Sequence, residues 1–291
     1  MKRIIFNIAG GMGKNITATA VVRNIKRAYP EHSIVVTTPY ADIWLNNPNV
    51  SEIVSIEKTP FFYRDYLMDP ETILLKKEPY HANDFVGQKK HLVEIWCDLA
   101  GVPCIDMQPE LFFTDEEIVN AEKITKGNFP TFFIQTSGGA PNQAFPVSWA
   151  RDLPMNLAER ICVRMNEEGY KIFHIRRPDQ PSIPGTEMVN LPIREVICML
   201  KFSDKRLFID SFAQHAAAAV GMPSVVTWVG NRPDVFGESI HTNILPKEKE
   251  QFRHYIDSYL DKYNITGALH ECPYNTDDIF DFDEIISKLL K

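Results

Sequence analysis

Along the chain, short apolar runs alternate with stretches in which apolar residues recur every three or four positions. Arg3 to Ala9 (RIIFNIA) is such a run, and it leads into GGMGKN, after which Ile16, Ala20, Val21 and Ile25 keep helical spacing up to Pro30. This reads as strand, tight glycine turn, helix. Ser33 to Pro39 (SIVVTTP) and Glu52 to Ile56 (EIVSI) follow as further strands, so the pattern predicts strand and helix alternation. Alternation of this kind implies a parallel sheet covered on both faces.

Thr59 to Tyr80 is aromatic, broken by prolines and weakly periodic, which predicts an irregular packed segment. Val86 to Leu99 reads as helix and stops at Gly101 and Pro103. Thr114 to Pro130 is polar, opens with a Thr-x-x-Glu capping pattern and closes on Gly and Pro, so we place a border there: one Rossmann-like lobe over 1–126, a second over 127–291. The second lobe restarts the same syntax. Thr131 to Gly139 (TFFIQTSGG) is strand then glycine turn, Leu157 to Glu168 helix, Tyr170 to Ile175 strand and Arg194 to Phe202 helix. Arg206 to Asp210 is strand, followed by a small-residue helix and the strand Pro223 to Gly230. The last helix, Phe282 to Leu290, could pack on either lobe.

Composition agrees with two lobes. A length of 291 residues is about two ordinary domains, and 44% hydrophobic with 24% charged residues is a globular balance. A net charge of -7 argues against nucleic acid as the main partner. The five cysteines, Cys97, Cys104, Cys162, Cys198 and Cys272, form no CxxC pair and read as buried thiols. No run approaches the length of a membrane span, and the first apolar run is too short for a signal peptide, so a cytoplasmic protein is expected, with peripheral membrane contact still open.

The most informative segment is RLFIDSFAQHAAAAVG, Arg206 to Gly221. A strand ends at Asp210, and a helix begins after Ser211, so unpaired amides and the helix dipole favour an anion such as a diphosphate. His215 lies one turn in and could face the same anion. The plainer alternative is that Asp210 and Ser211 only cap the helix.

These residues resemble glycosyltransferase family 9, the heptosyltransferase-like enzymes of GT-B fold. Its Asp-Ser/Thr-Gly-x-x-His segment, followed by Gly-x-Pro, stands here as Asp210, Ser211, Phe212, Ala213, Gln214 and His215, then Gly221, Met222 and Pro223, with Phe212 in place of the glycine. GGMGKNITATAVVRNIKRAYP is similar to the family's first turn and helix. Asn47, Pro48, Asn49 and Val50 match its Asn-Pro-x-Val, and Ser148-Trp149 resembles its Lys-x-Trp without the lysine.

The resemblance implies two Rossmann-like doubly wound domains facing across a cleft, with an activated sugar on a nucleoside diphosphate in the second. A glycan or lipid-linked hydroxyl acceptor lies against the first, and the sugar, heptose-like or another, transfers with inversion. No cofactor or obligatory metal is expected. Asp210, Ser211, Phe212, Gln214, His215, Arg151 and Arg176 become candidates for the donor diphosphate. Gly11, Gly13, Lys14, Asn15, Ser137, Gly138, Gly230 and Asn231 become candidates for the surrounding loops.

The family base resembles an Asp directly after the last glycine of the first turn, where this chain has Lys14. Asp42, Asp65 and Asp84 are then the candidate bases, or the chain is a sugar-nucleotide-binding homologue without transfer. A third reading takes GGMGKN as a deviant phosphate loop, yet Ile8 and Asn15 stand where that loop needs Gly and Ser or Thr.

Overall fold

The computed structural model describes residues 2–55, 58–139, 151–247 and 278–291. Ser148, Trp149 and Cys272 lie outside them. The chain divides into two compact units, Met1–Thr114 and Asp115–Lys291. Segment 115–126, which the sequence pattern kept with the first lobe, begins the second unit.

In the first unit the apolar runs form strands β1 (Arg3–Asn7), β2 (Ser33–Thr37) and β3 (Glu52–Val54), with helix α1 (Met12–Ala28) after the glycine turn. A fourth strand, β4 (Thr72–Leu75), lies in the aromatic segment expected to be irregular. All pairings are parallel, in the order β3-β2-β1-β4. β4 is a sheet edge, and its Ile73 and Leu74 are partly exposed, so it lacks the fully buried run that marks an inner strand. Ahead of it, Phe62, Tyr66 and Leu67 pack on Ile5, Val35 and Val54, so the aromatic segment covers one face of the sheet. The stretch read as one helix from Val86 is two, α2 (Asn83–Val86) and α3 (Leu92–Ala100). Gln88 in the break has φ +51°, which a continuous helix cannot accommodate. α3 starts on a capping box in which the His91 ring accepts from Val93 N–H and Glu94 accepts from His91 N–H.

The second unit opens with α4 (Asp115–Thr125), tied by Glu117 to Arg194 at 2.5 Å on the later α6 (Ile193–Leu200). Its strands are β5 (Thr131–Ile134), β6 (Lys171–Ile175), β7 (Glu187–Val189), β8 (Lys205–Ile209), β9 (Val225–Thr227) and β10 (Thr242–Ile244). They form one parallel sheet in the order β10-β9-β8-β5-β6-β7. Helices α5 (Met155–Glu167), α7 (Phe212–Ala219), α8 (Pro233–Phe236) and α9 (Phe282–Leu289) complete the unit. Leu157, Ile161 and Met165 of α5 share a core with Ile285, Ile286 and Leu289 of α9, which settles the last helix in this unit.

Each sheet therefore grows in both directions from its first strand. In such sheets a crevice opens beyond the carboxyl ends of the two strands where the winding reverses. Those strands are β1 and β4 in the first unit, β5 and β8 in the second. Among the described residues no helix is long and apolar enough to cross a membrane. Cys97, Cys104, Cys162 and Cys198 are free thiols, and burial pushes Cys162 and Cys198 up to about 12, which keeps them inert.

Candidate functional site

In the second unit, β5 runs into Gln135, Thr136, Ser137 and Gly138, and β8 runs into Asp210 and Ser211. Ser211 is the N-cap of α7, in extended conformation (φ -155°), but its hydroxyl does not cap the helix. It accepts instead from Gln135 Nε2 at 3.2 Å, across the switch point. Ser211 thus leaves the first-turn amides of α7 without a bond from its own side chain, and a helix start of this kind favours an anion. Gln135 is 4% exposed, and its Oε1 has no partner among the described residues. A buried acceptor without a donor is uncommon unless water or a ligand fills the gap. A Cβ on Gly138 would lie 3.2 Å from both Arg151 Nε and Ser211 Oγ, so the guanidinium and the hydroxyl flank one face of this glycine. Asp152 holds the loop by accepting Gly138 N–H at 2.9 Å.

The other candidates of this unit are placed differently. Gln214 is fully buried, and its Nε2 donates to Phe236 O at 3.0 Å. The His215 ring pairs with Glu238: its Nδ1 meets Glu238 Oε1 at 2.7 Å, and both residues are buried. Asp210 is buried and accepts from Asn231 Nδ2, and Gly230 is buried beside it in sequence. These bonds fasten the start of α7 to the loop after β9. Phe212 is half-buried in the first turn of α7, and Ser137 is buried. Arg176 spends its Nη1 on the Arg177 and Gln180 carbonyls at 3.2 and 3.3 Å, so it braces its own loop. Arg177 reaches the glycine turn instead, donating to Gly139 O at 2.8 Å. Trp228 is core, with its ring N–H on Asn243 Oδ1 at 2.8 Å.

In the first unit the switch point is filled by a charge pair. Lys14 Nζ lies 2.6 Å from both carboxylate oxygens of Glu78, which follows β4. The ammonium also sits over the rings of Tyr80 at 4.5 Å and Trp96 at 5.3 Å. Gly10 has φ +102°, and a Cβ there would lie 3.1 Å from Lys14 Cδ, so the turn needs glycine both for its backbone and for the lysine stem that folds across it. Gly11 is exposed as the N-cap of α1, and Gly13 is half-buried. Asn15 is fully buried and no surface ligand: its Oδ1 accepts from the Thr38 hydroxyl and the Trp44 ring N–H, joining the loops after β1 and β2.

The three candidate aspartates do not converge. Asp42 is exposed, on the turn 41–44 after β2 whose Ile43 and Trp44 are buried. Asp65 pairs with Arg64, and its carbonyl accepts from Arg3 Nη1 at 2.9 Å, which places it at the amino end of the sheet. Asp84 lies on α2, 3.4 Å from Lys90. The sequence pattern missed Glu78, Gln135 and Glu238. For Glu78 a signal existed, because Lys14 falls on the buried face of α1 with Ala18 and Val21 and a buried lysine needs a counter-charge. Among the described residues no group of at least three His, Cys, Asp or Glu is arranged to hold a metal.

No protein-family model matches this chain, and no curated protein sequence does. Solved structures do. It superimposes on a glycosyl transferase family 9 protein from Veillonella parvula with TM-score 0.70 at 14% identity, covering 98% of this chain and 95% of that one. It also matches the E. coli ADP-heptose lipopolysaccharide heptosyltransferase II, with TM-score 0.61, 13% identity and 90% and 97% of the two chains covered. An E. coli heptosyltransferase solved with ADP matches at TM-score 0.55 and 11% identity, over 91% of this chain and 100% of that one. The chain has the heptosyltransferase-like fold of family 9, with one Rossmann-like parallel sheet in each unit.

Proposed function

We propose that this protein is a glycosyltransferase that binds a nucleoside-diphosphate sugar at the β5/β8 switch point of its second unit and passes the sugar, with inversion, to a hydroxyl acceptor. The observation that carries the reading is the junction around Gly138 of α7 amides that Ser211 does not cap, the Arg151 guanidinium and a Gln135 acceptor without a partner among the described residues. The amides and the guanidinium stabilise the diphosphate, first as ligand and then as leaving group. The Gln135 oxygen accepts from a hydroxyl or amine of the nucleotide. Similar structures solved with ADP and with ADP-2-deoxy-2-fluoro heptose make ADP-heptose the donor to try first. Asp210 and His215 support this site from behind, through Asn231 and Glu238.

The phosphate-loop ATPase reading loses its lysine, since Lys14 is engaged by Glu78 under two rings. A binding protein without transfer is the remaining alternative.

Thermal unfolding with ADP, ADP-heptose or ATP with magnesium tests the proposal. A ligand at about 100 times its Kd adds roughly 2.7 kcal/mol to the folded state. ADP and ADP-heptose are expected to raise Tm, and Arg151→Ala and Ser211→Ala to reduce that rise without lowering the ligand-free Tm. A rise with ATP and magnesium alone would sink the assignment. Binding of ADP-heptose with no release of ADP, whatever hydroxyl is offered, would favour the binding protein.

A further inference from the structure

The sheet of the first unit ends on one side without protection. β4 pairs with β1 along one rim and, among the described residues, with no strand along the other. Leu74 lies beside Ile5 and so points to the face that Phe62, Tyr66 and Leu67 cover, while Ile73 lies beside Ile4 and points to the opposite face. Both apolar layers therefore run out to the rim, where Ile73 is 37% and Leu74 45% exposed. Such a rim offers unpaired amides and carbonyls beside apolar side chains, and proteins commonly blunt it with a charge or a proline. Thr72 to Leu75 carries neither.

The flanks of β4 indicate what can pair there. Glu71 stands before the strand and Lys76 and Lys77 after it, all three exposed and without an ion pair among the described residues. A second copy of the strand can lie antiparallel across a two-fold axis normal to the sheet. Residues directly opposite each other must then share a face, so the axis passes through a residue rather than between two. With the axis at Leu74, Leu74 meets its own copy, Ile73 meets Leu75, and Glu71 meets Lys77, each of these last two pairs made twice. Apolar faces apolar and acid faces base. Moving the axis to Ile73 sets Glu71 against Leu75, and parallel pairing sets each charge against its own kind.

We propose that the β4 rim is where two copies of this chain associate, by antiparallel β4 pairing centred on Leu74. The two four-stranded sheets join into one, with both apolar layers continuous across the joint. A joint of four residues a side is smaller than the roughly 800 Å² per partner of a standard interface, so the association is a concentration-dependent equilibrium and not a permanent dimer.

Sedimentation velocity of the full chain over a concentration series tests this, and wild type is expected to move from monomer toward dimer as concentration rises. Lys77→Glu sets acid against acid and Glu71→Lys sets base against base. Each is expected to weaken dimerisation about 10-fold or more. The Tm of the dilute monomer should stay unchanged, since both side chains are exposed. The two reversals together in one chain restore the dimer. So does an equimolar mixture of the two single variants, because each copy then meets its opposite charge at both ends of the joint. A chain that stays monomeric throughout overturns the proposal, whether its own residues cover the rim or a lipid surface does, the latter being read by co-sedimentation of the monomer with anionic vesicles. A dimer indifferent to both reversals, or a mixture that stays monomeric, overturns it as well, since the copies then do not meet at β4. No ligand enters the measurement, so its outcome is separate from that of the nucleotide-sugar assignment.

Discussion

At the carboxyl end of β1 the switch point is filled by a lysine and a glutamate held against two aromatic rings. At the same place beyond β5 it holds a glutamine amide, a serine hydroxyl and a glycine, with an arginine at the rim. Both sheets are wound alike around their first strand, so the topology puts a crevice at each. What occupies the crevice is decided by side chains. In the first unit the positive charge is already neutralised within the protein. In the second, the Ser211 hydroxyl leaves the start of α7 uncapped, and the Gln135 oxygen has no donor among the described residues. One winding plan used twice thus ends in one crevice filled by an internal ion pair and in another lined by a glutamine, a serine and an arginine.

Acid should separate the units most strongly. In the second unit, burial pushes His174 and His241 down to about 4. His241 is fixed as the neutral ring, since its Nε2 donates to Gln214 O at 2.8 Å and its Nδ1 accepts from Ser224 N–H at 3.1 Å. A second proton would meet that N–H head on. The unfolded chain takes up protons near the usual histidine value, about 6.5, so between there and about 4 it binds more protons than the folded one and stability falls as pH falls. The loss is complete near pH 4 and amounts to about 3 kcal/mol per histidine. Hydrogen exchange read on peptides should therefore show protection of β5, β6 and β9 falling between pH 7 and 4.5 by more than that of β1 and β2. Equal loss in both sheets would erase this contrast.

The ion pair offers the next largest effect. Removing Glu78 strands an ammonium that is almost fully buried, whereas removing Lys14 leaves a carboxylate that can turn to water. Glu78→Ala should thus cost about 3 kcal/mol in urea unfolding, and Lys14→Met about 1 kcal/mol. The reverse order would mean that the carboxylate, not the ammonium, is the desolvated partner.

Much of this was legible in the chain. The runs RIIFNIA, SIVVT and RLFID became inner strands because parallel strands covered on both faces must be continuously apolar. β4 was hidden because an edge strand needs only one buried face, and its neighbours Phe62 and Tyr66 blur any period. The turn at Asp210 and Ser211 was legible as a helix start, and Arg151 as a nearby cation. That His215 would face Glu238 was not, because the partner lies 23 positions away in a polar loop with no pattern of its own. Lys14 called for a counter-charge, but not for which one, since Glu78 lies 64 positions away. Local sequence announces strands, turns and caps, while the partner of a buried charge is set by tertiary distance.

The smallest effects give the finest test, because matching substitutions act on different terms in the two units. Gly10 has φ +102°, so Gly10→Ala strains the backbone itself and should lower stability by about 1 kcal/mol while leaving ADP affinity unchanged. Gly138 needs no left-handed backbone, and an added Cβ meets only side-chain ends, Arg151 Nε and Ser211 Oγ, each at 3.2 Å. Those ends can shift by a few tenths of an ångström, so Tm should barely move. The shift, however, displaces the two groups that flank the proposed diphosphate, and Gly138→Ala is expected to weaken ADP binding by about 3- to 10-fold, up to roughly 1.4 kcal/mol. Calorimetry with ADP beside thermal unfolding of both variants reads the two terms separately. If Gly138→Ala binds ADP as wild type does, or if Gly10→Ala loses affinity with it, the anion is not seated at the β5/β8 switch point and the division of labour between the units fails.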